Sequence, residues 1–219
     1  MKTYRDHYFK KAKQENYPAR SVYKLEEIEK QSRLIFPGAA VLDLGACPGS
    51  WSLYAAARTG EKGRVLAIDL NPAGTAFPGH VTYLTGDMLD PGPEILAAFS
   101  RLGPFDVVLS DMAPRTTGVK FTDQARSLEL CEAALAVAMT RLKPGGAFVV
   151  KIFQGPDAPA FQKGLRDYFD KVRVAKPKSS RAESKEIFYV ATGFRPPAEL
   201  PEPDPPPLPP HHAAAKDEA

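Results

Sequence analysis

The stretch Val41-Leu42-Asp43-Leu44-Gly45-Ala46-Cys47-Pro48-Gly49-Ser50-Trp51 sets the strongest constraint on how this chain can fold. A β-rich apolar run ends at Asp43 and Gly45, turns through Pro48-Gly49 and leads into a helical segment. In an α/β protein this is the first strand–turn–helix unit, and Gly45 and Gly49 let the backbone approach a ligand at the carboxyl edge of the sheet. The rhythm then repeats. Val41–Leu44, Arg64–Asp69, Val81–Thr85, Phe105–Ser110, Ala147–Phe153, Val172–Lys176 and Ile187–Thr192 read as strands. Helices are expected after Ser21 as N-cap, over Trp51–Arg58, Pro91–Leu102 and Asp123–Arg141, and from Asp157 to Tyr168. Lys143-Pro144-Gly145-Gly146 should end the long one. The central strands are near-continuous apolar runs. The expected sheet is therefore mostly parallel, covered by helices on both faces, with an antiparallel edge made by the last strand.

The turn also limits the ligand. Its spacing, Asp-x-Gly-x-x-x-Gly, is not the dinucleotide fingerprint: Asp43 stands where the first glycine would be, and Cys47 is not glycine. A pyrophosphate needs several bare amides at the helix start. S-adenosylmethionine (SAM) needs fewer, because it brings a carboxylate and an ammonium of its own. The turn favours SAM over NAD.

A chain of 219 residues accommodates one full α/β domain and not two large ones. We divide it into a basic N-terminal helical segment packed on the domain (1–33), the α/β domain (34–195) and a proline-rich tail (196–219). Nine of the 22 prolines fall between Pro196 and Pro210, so this tail cannot build a core and is expected to be extended and disordered. The tail carries five acids against Lys216. Without it the chain has 28 basic and 21 acidic residues, a charge of +7 that suits an anionic partner. No apolar run reaches membrane-spanning length. Cys47 and Cys131 form neither a disulfide framework nor a metal cluster, which points to a reducing cytoplasm. A monomer is expected.

Residues at strand ends form one constellation, because ligands of open α/β sheets bind beyond the carboxyl ends of the strands. Asp69 closes the second strand, where an acid accepts bonds from ribose hydroxyls. Asp87 follows the third, placed to accept from an adenine amino group. Asp111 closes the fourth, Lys151 the fifth, and Glu186 precedes the last. Any of these acids can equally be a turn or cap residue. Lys151 is harder to set aside: it interrupts the apolar run Phe148–Phe153, and an unpaired lysine there is costly. Asp111 or Glu186 would relieve that cost. The aromatic, basic N-terminus (with Tyr4, Tyr8, Phe9, Tyr23 and nine Lys/Arg among residues 1–33) is either a solvated amphipathic lead-in or a nucleic-acid surface. A second basic region runs from Lys163 to Lys185.

Five separated motifs occur in an order that resembles the FtsJ/RrmJ-type ribosomal RNA methyltransferases. They are Arg20-Ser21-Val22-Tyr23-Lys24-Leu25-Glu26-Glu27-Ile28, the Asp43–Trp51 turn, Ser110–Pro114, Val149–Gly155 and Ser179–Gly193. The resemblance covers roughly residues 1–195. It implies a Rossmann-like SAM-dependent methyltransferase fold and methylation of the 2′-hydroxyl of a uridine in the A-loop of 23S ribosomal RNA in the large subunit. Carried over by position, the family's tetrad falls on Lys24, Asp111, Lys151 and Glu186. Its cofactor contacts fall on Gly49, Trp51, Asp69, Asp87 and Asp111, beside Gly45 of the turn. Two departures stand out: Ser50 where the family often has glycine, and Arg115-Thr116 after the Asp-Met-Ala-Pro motif.

The implied chemistry is consistent with the residues. A ribose 2′-hydroxyl is a weak nucleophile, whereas a sulfonium methyl is already activated. The enzyme must align oxygen, carbon and sulfur and remove a proton as the bond forms. A lysine serves as base only when its pKa falls well below roughly 10.4. The expected roles are Lys151 as proton acceptor, Asp111 orienting it, and Lys24 and Glu186 positioning the ribose. The alternatives are a ribose methyltransferase acting on tRNA, an mRNA cap or another RNA, and a non-catalytic ribosome-assembly factor. A cytosine-C5 enzyme would need a well-placed nucleophilic cysteine, and neither cysteine is one.

Overall fold

Successive residues of the central strands are apolar on both sides, and the fold answers with cover on both faces. The computed structural model describes residues 2–181 and 184–197, with side chains from residue 7 onward. The tail from residue 198 lies outside the described residues. In order, the elements are α1 (Lys2–Gln14), α2 (Val22–Ser32), β1 (Ala40–Leu44), α3 (Ser50–Thr59), β2 (Arg64–Asp69), β3 (Val81–Thr85) and α4 (Pro93–Leu102). There follow β4 (Phe105–Ser110), α5 (Lys120–Arg141), β5 (Leu142–Phe153), α6 (Ala158–Tyr168), β6 (Phe169–Ala175) and β7 (Glu186–Phe194). The seven strands make one sheet in the order β3-β2-β1-β4-β5-β7-β6. The first five are parallel, and β7 runs antiparallel to both neighbours.

All five residues of β1 are buried, as a central strand requires. Val41, Val107, Val149 and Phe188 face α2 and α3, while Leu42, Val108, Phe148 and Ile152 belong to the core under α4, α5 and α6. Each such side chain contributes about 1.5–3 kcal/mol by leaving water.

Two expectations need correction. The last strand is antiparallel but is not an edge: β7 lies between β5 and β6, and β6 is the edge. The reason is burial, since Ile187–Ala191 are all buried whereas in β6 only the two end residues, Phe169 and Ala175, are. The Lys143–Gly146 turn does not separate helix from strand either. Leu142 already pairs with Phe105 and Ala147 with Val107, so the intervening residues bulge out of β5, with Gly145 at φ +78°.

The N-terminal helix packs through its aromatics. The Tyr8 and Tyr23 rings lie 5.3 Å apart, Lys11 Nζ sits 4.4 Å from the Tyr23 centroid, and the Tyr23 hydroxyl donates to Glu15 at 3.0 Å. Tyr8 and Tyr23 are thus packing residues, while Phe9 stands exposed. Among the described residues no helix is long and apolar enough to cross a membrane.

Candidate active site

Lys24 and Glu186, 162 positions apart, meet because α2 is fastened to the segment leading into β7. The Glu27 carboxylate accepts the amides of Lys178 and Ser179 at 2.6 and 2.9 Å, and the Arg20 guanidinium donates to the Ser179 carbonyl at 2.6 Å. Lys176 Nζ clamps the other side, donating to the carbonyls of Ser184 and Glu186 at 2.6 and 2.9 Å. With both elements fixed, Lys24 Nζ lies 2.6 Å from Glu186 Oε1. The Ser180 hydroxyl donates to the same oxygen at 2.9 Å. Burial works against the Glu186 carboxylate. Lys24, Ser180 and the nearby Lys151 outweigh it, and its pKa lies below the ordinary value.

Lys151, only 7% exposed, is the lone charge in the buried part of β5. Its ammonium reaches across to β4, donating to the Asp111 carbonyl and pairing with Asp111 Oδ1 at 2.9 Å. That carboxylate oxygen takes the ammonium as an ion pair and has no aligned hydrogen bond. Asp111 itself is anchored by its amide, which donates to the Leu44 carbonyl at 3.2 Å. Lys151 is opposite Phe188 in the β5–β7 ladder, so Lys151 and Glu186 share one face on a diagonal. All four residues of the expected tetrad are therefore brought together.

Beside them, at the carboxyl ends of the parallel strands, is a cavity of about 420 Å³. Gly45, Asp69, Asp87 and Asp111 line it, with apolar walls from Leu70, Met88 and Leu89. Gly45 has φ +75°, and a Cβ there would sit 2.6 Å from Met112 Cγ, so glycine keeps this wall open. The Asp69 carboxylate accepts the Cys47 amide at 3.0 Å and the Asn71 amide at 2.8 Å, fixing the turn to the end of β2. Asp87 accepts the Leu89 amide at 2.8 Å.

Two residues expected to contact the cofactor, Gly49 and Trp51, are not among those lining this cavity. Gly49 is under the following loop, where a Cβ would meet Phe77 at 2.7 Å, and it does not line the cavity. The Trp51 indole is buried against Phe188 with ring centroids 5.7 Å apart, and its Nε1 donates to the Ser21 carbonyl at 2.9 Å. A large apolar ring at the start of α3 is best buried toward α2, so Trp51 can offer a ligand only its main-chain amide.

Asp43 went unnoticed as a site residue. Fully buried in β1, it accepts the Ser52 hydroxyl at 2.6 Å through Oδ2, while Oδ1 has no partner. Burial pushes its pKa up to about 7 against the opposing Ser52 bond, with smaller upward contributions from Asp111 and Asp69. The signal was present: a lone acid within an apolar strand, the same anomaly that singled out Lys151.

Relatives share this sequence over most of its length. Ribosomal RNA large subunit methyltransferase E of Nitratidesulfovibrio vulgaris is 61% identical over 195 residues, covering 89% of this chain and 97% of the relative. The protein of the same name from Bdellovibrio bacteriovorus is 52% identical, covering 85% and 95%. A crystal structure from Plasmodium falciparum, described as a ribosomal RNA methyltransferase, superposes with a TM-score of 0.71 at 24% identity, covering 81% of this chain and 98% of that one, a likeness of fold. With a match to the family's sequence model running from residue 17 to residue 194, this chain belongs to the FtsJ-like methyltransferases.

Proposed function

We propose that the chain transfers a methyl group from SAM to the 2′-hydroxyl of a uridine in the A-loop of 23S ribosomal RNA, within the large ribosomal subunit. The observation that carries this reading is the assembled set Lys24, Asp111, Lys151 and Glu186 beside the strand-end cavity. Family membership supports methyl transfer, and the name the relatives carry supports the rRNA substrate.

The cavity suits SAM. At about 420 Å³ it falls within the usual range for small-molecule sites, and three carboxylates suit a ligand bearing a sulfonium and an ammonium. Asp69 would take the ribose hydroxyls, Asp87 the adenine amino group, and Gly45 with the start of α3 would receive the amino-acid end. When bound, this cofactor supplies an activated methyl group.

The protein's own part is to place the target hydroxyl and take its proton. Lys24 and Glu186 form a polar pair that can bind ribose oxygens. Lys151, when neutral, accepts the 2′-hydroxyl proton on Nζ as the new O–C bond forms. Asp111 then holds the resulting ammonium through its carbonyl and its carboxylate, in the arrangement described above.

The test is methyl transfer from labelled SAM to large subunits that lack the modification, followed by nucleoside analysis. We expect 2′-O-methyluridine at one A-loop position, lost in Lys151→Ala while SAM affinity stays within a few-fold. Unchanged turnover by that variant would remove Lys151 from its role. Transfer to tRNA or capped RNA but not to subunits would overturn the substrate.

A further inference from the structure

The tetrad handles a ribose and a proton, and every nucleotide offers the same ribose. Selecting one nucleotide therefore needs a surface that meets its base. Two residues beyond Lys151, a second cavity of about 270 Å³ opens at the end of β5. It is lined by Phe153, by Gln124 at the start of α5, by Lys120, and by Ser184-Lys185 leading into β7. Phe153 lies on the same face as Lys151, about 6.6 Å along the strand, and directly opposite Glu186 in the ladder. A base attached to a ribose at the tetrad falls within that reach.

The walls are built rather than loose. Asp123 Oδ1 accepts the Thr117 amide at 2.7 Å and hydroxyl at 2.8 Å, and Oδ2 accepts the Gly118 amide at 3.2 Å. The loop ahead of α5 is thereby pinned. Gln124 Nε2 donates to the Gln154 carbonyl, and the Gln154 amide donates to the Lys185 carbonyl at 2.8 Å, joining the two sides. The aromatic wall of this fixed cavity is Phe153, half-buried at the end of β5, and two lysines, Lys120 and Lys185, line it beside the ring.

We propose that this cavity is the nucleobase subsite for the reacting nucleotide. Phe153 presents an apolar surface to an unpaired base, and Lys120 and Lys185 meet the phosphates beside it. Unpaired RNA bases are taken up in this way, by stacking on aromatic side chains flanked by cations. The inference rests on the 2′-O-methyltransferase reading above and adds where the base goes.

The experiment measures steady-state methylation of large subunits lacking the modification by wild type, Phe153→Ala, Phe153→Tyr and Lys185→Gln. SAM affinity is measured in parallel. Phe153→Ala should lower kcat/KM for subunits by about 5- to 150-fold, with SAM affinity within about twofold. Phe153→Tyr should keep activity within about threefold of wild type, since it keeps a stacking face. Lys185→Gln should raise KM and reduce the slope of log affinity against log salt by about 1. If wild type methylates subunits and Phe153→Ala matches it in kcat/KM while binding SAM normally, the subsite is overturned. If wild type itself transfers no methyl group to ribosomal RNA, the functional reading falls instead.

Discussion

Ser50 holds both main-chain polar groups of Ala19, accepting from its amide at 2.8 Å and donating to its carbonyl at 3.2 Å. The first residue of α3 is thereby latched to the segment that begins α2, and Trp51 adds a bond to Ser21. The turn below the strand-end cavity and the helix that carries Lys24 are one mechanical unit. A hydroxyl at this position, where the family often has glycine, does not strain the turn, because Ser50 is helical and the positive φ falls on Gly49.

Ser50→Ala should therefore cost more than a surface change. It removes two hydrogen bonds and leaves the Ala19 amide without its acceptor, a loss of about 1–3 kcal/mol. The check is a lower denaturant midpoint with an unchanged slope, accompanied by a higher KM for SAM.

Gly45→Ala should weaken cofactor binding directly. A Cβ at φ +75° meets Met112 at 2.6 Å, and Met112 lines the cavity. Backbone strain of about 1–2 kcal/mol adds to the displaced wall. We expect SAM affinity, measured by calorimetry, to fall at least about tenfold (about 1.4 kcal/mol), with the fold retained.

Glu186 should leave a mark on acid stability. Its folded pKa lies below the ordinary value of 4.5, so the native state favours the ionised form. That stabilisation is complete above the unfolded pKa and is lost as pH falls through the lower folded one. Glu186→Gln should flatten this acid limb in midpoint-against-pH measurements and lower kcat without changing SAM affinity.

Asp43 should act in the opposite sense. Its carboxyl has a pKa of about 7 in the fold against 3.8 in the unfolded chain. Between those values the native state keeps a proton that the unfolded chain releases. Stability from this group is greatest below pH 3.8, falls as pH rises toward 7 and is level beyond. Asp43→Asn should abolish that decline. An unaltered slope between pH 4 and 7 would show that Asp43 is ionised throughout.

Much of this architecture was legible because burial writes itself into sequence. The strands β1, β4 and β5 are apolar on both sides, and the polar exception in β5, Lys151, sits at the site. Asp43 is the same kind of exception, an acid inside the otherwise apolar β1, and glycine spacing in the turn beyond it says nothing of its burial. Lys24 carries no local sign: a lysine in the first turn of a helix looks like any solvated one, and only the resemblance marked it. Its partner is fixed by Glu27 and Arg20 gripping a loop more than 150 residues away, a contact no periodicity encodes. The direction of the Trp51 ring is unreadable for a related reason, since position in a motif does not say which way a ring turns.

The placement of β7 between β5 and β6 has an effect on the order of assembly. Because β7 runs antiparallel, its first residue, not its last, reaches the carboxyl edge of the parallel strands, and that residue is Glu186. Edge strand β6 pairs only with β7, so before β7 arrives both β6 and the outer side of β5 lack a neighbour. A chain emerging from the ribosome thus carries Lys24, Asp111 and Lys151 well before it can close the set. The set of four is complete only once the final strand has slotted into the sheet.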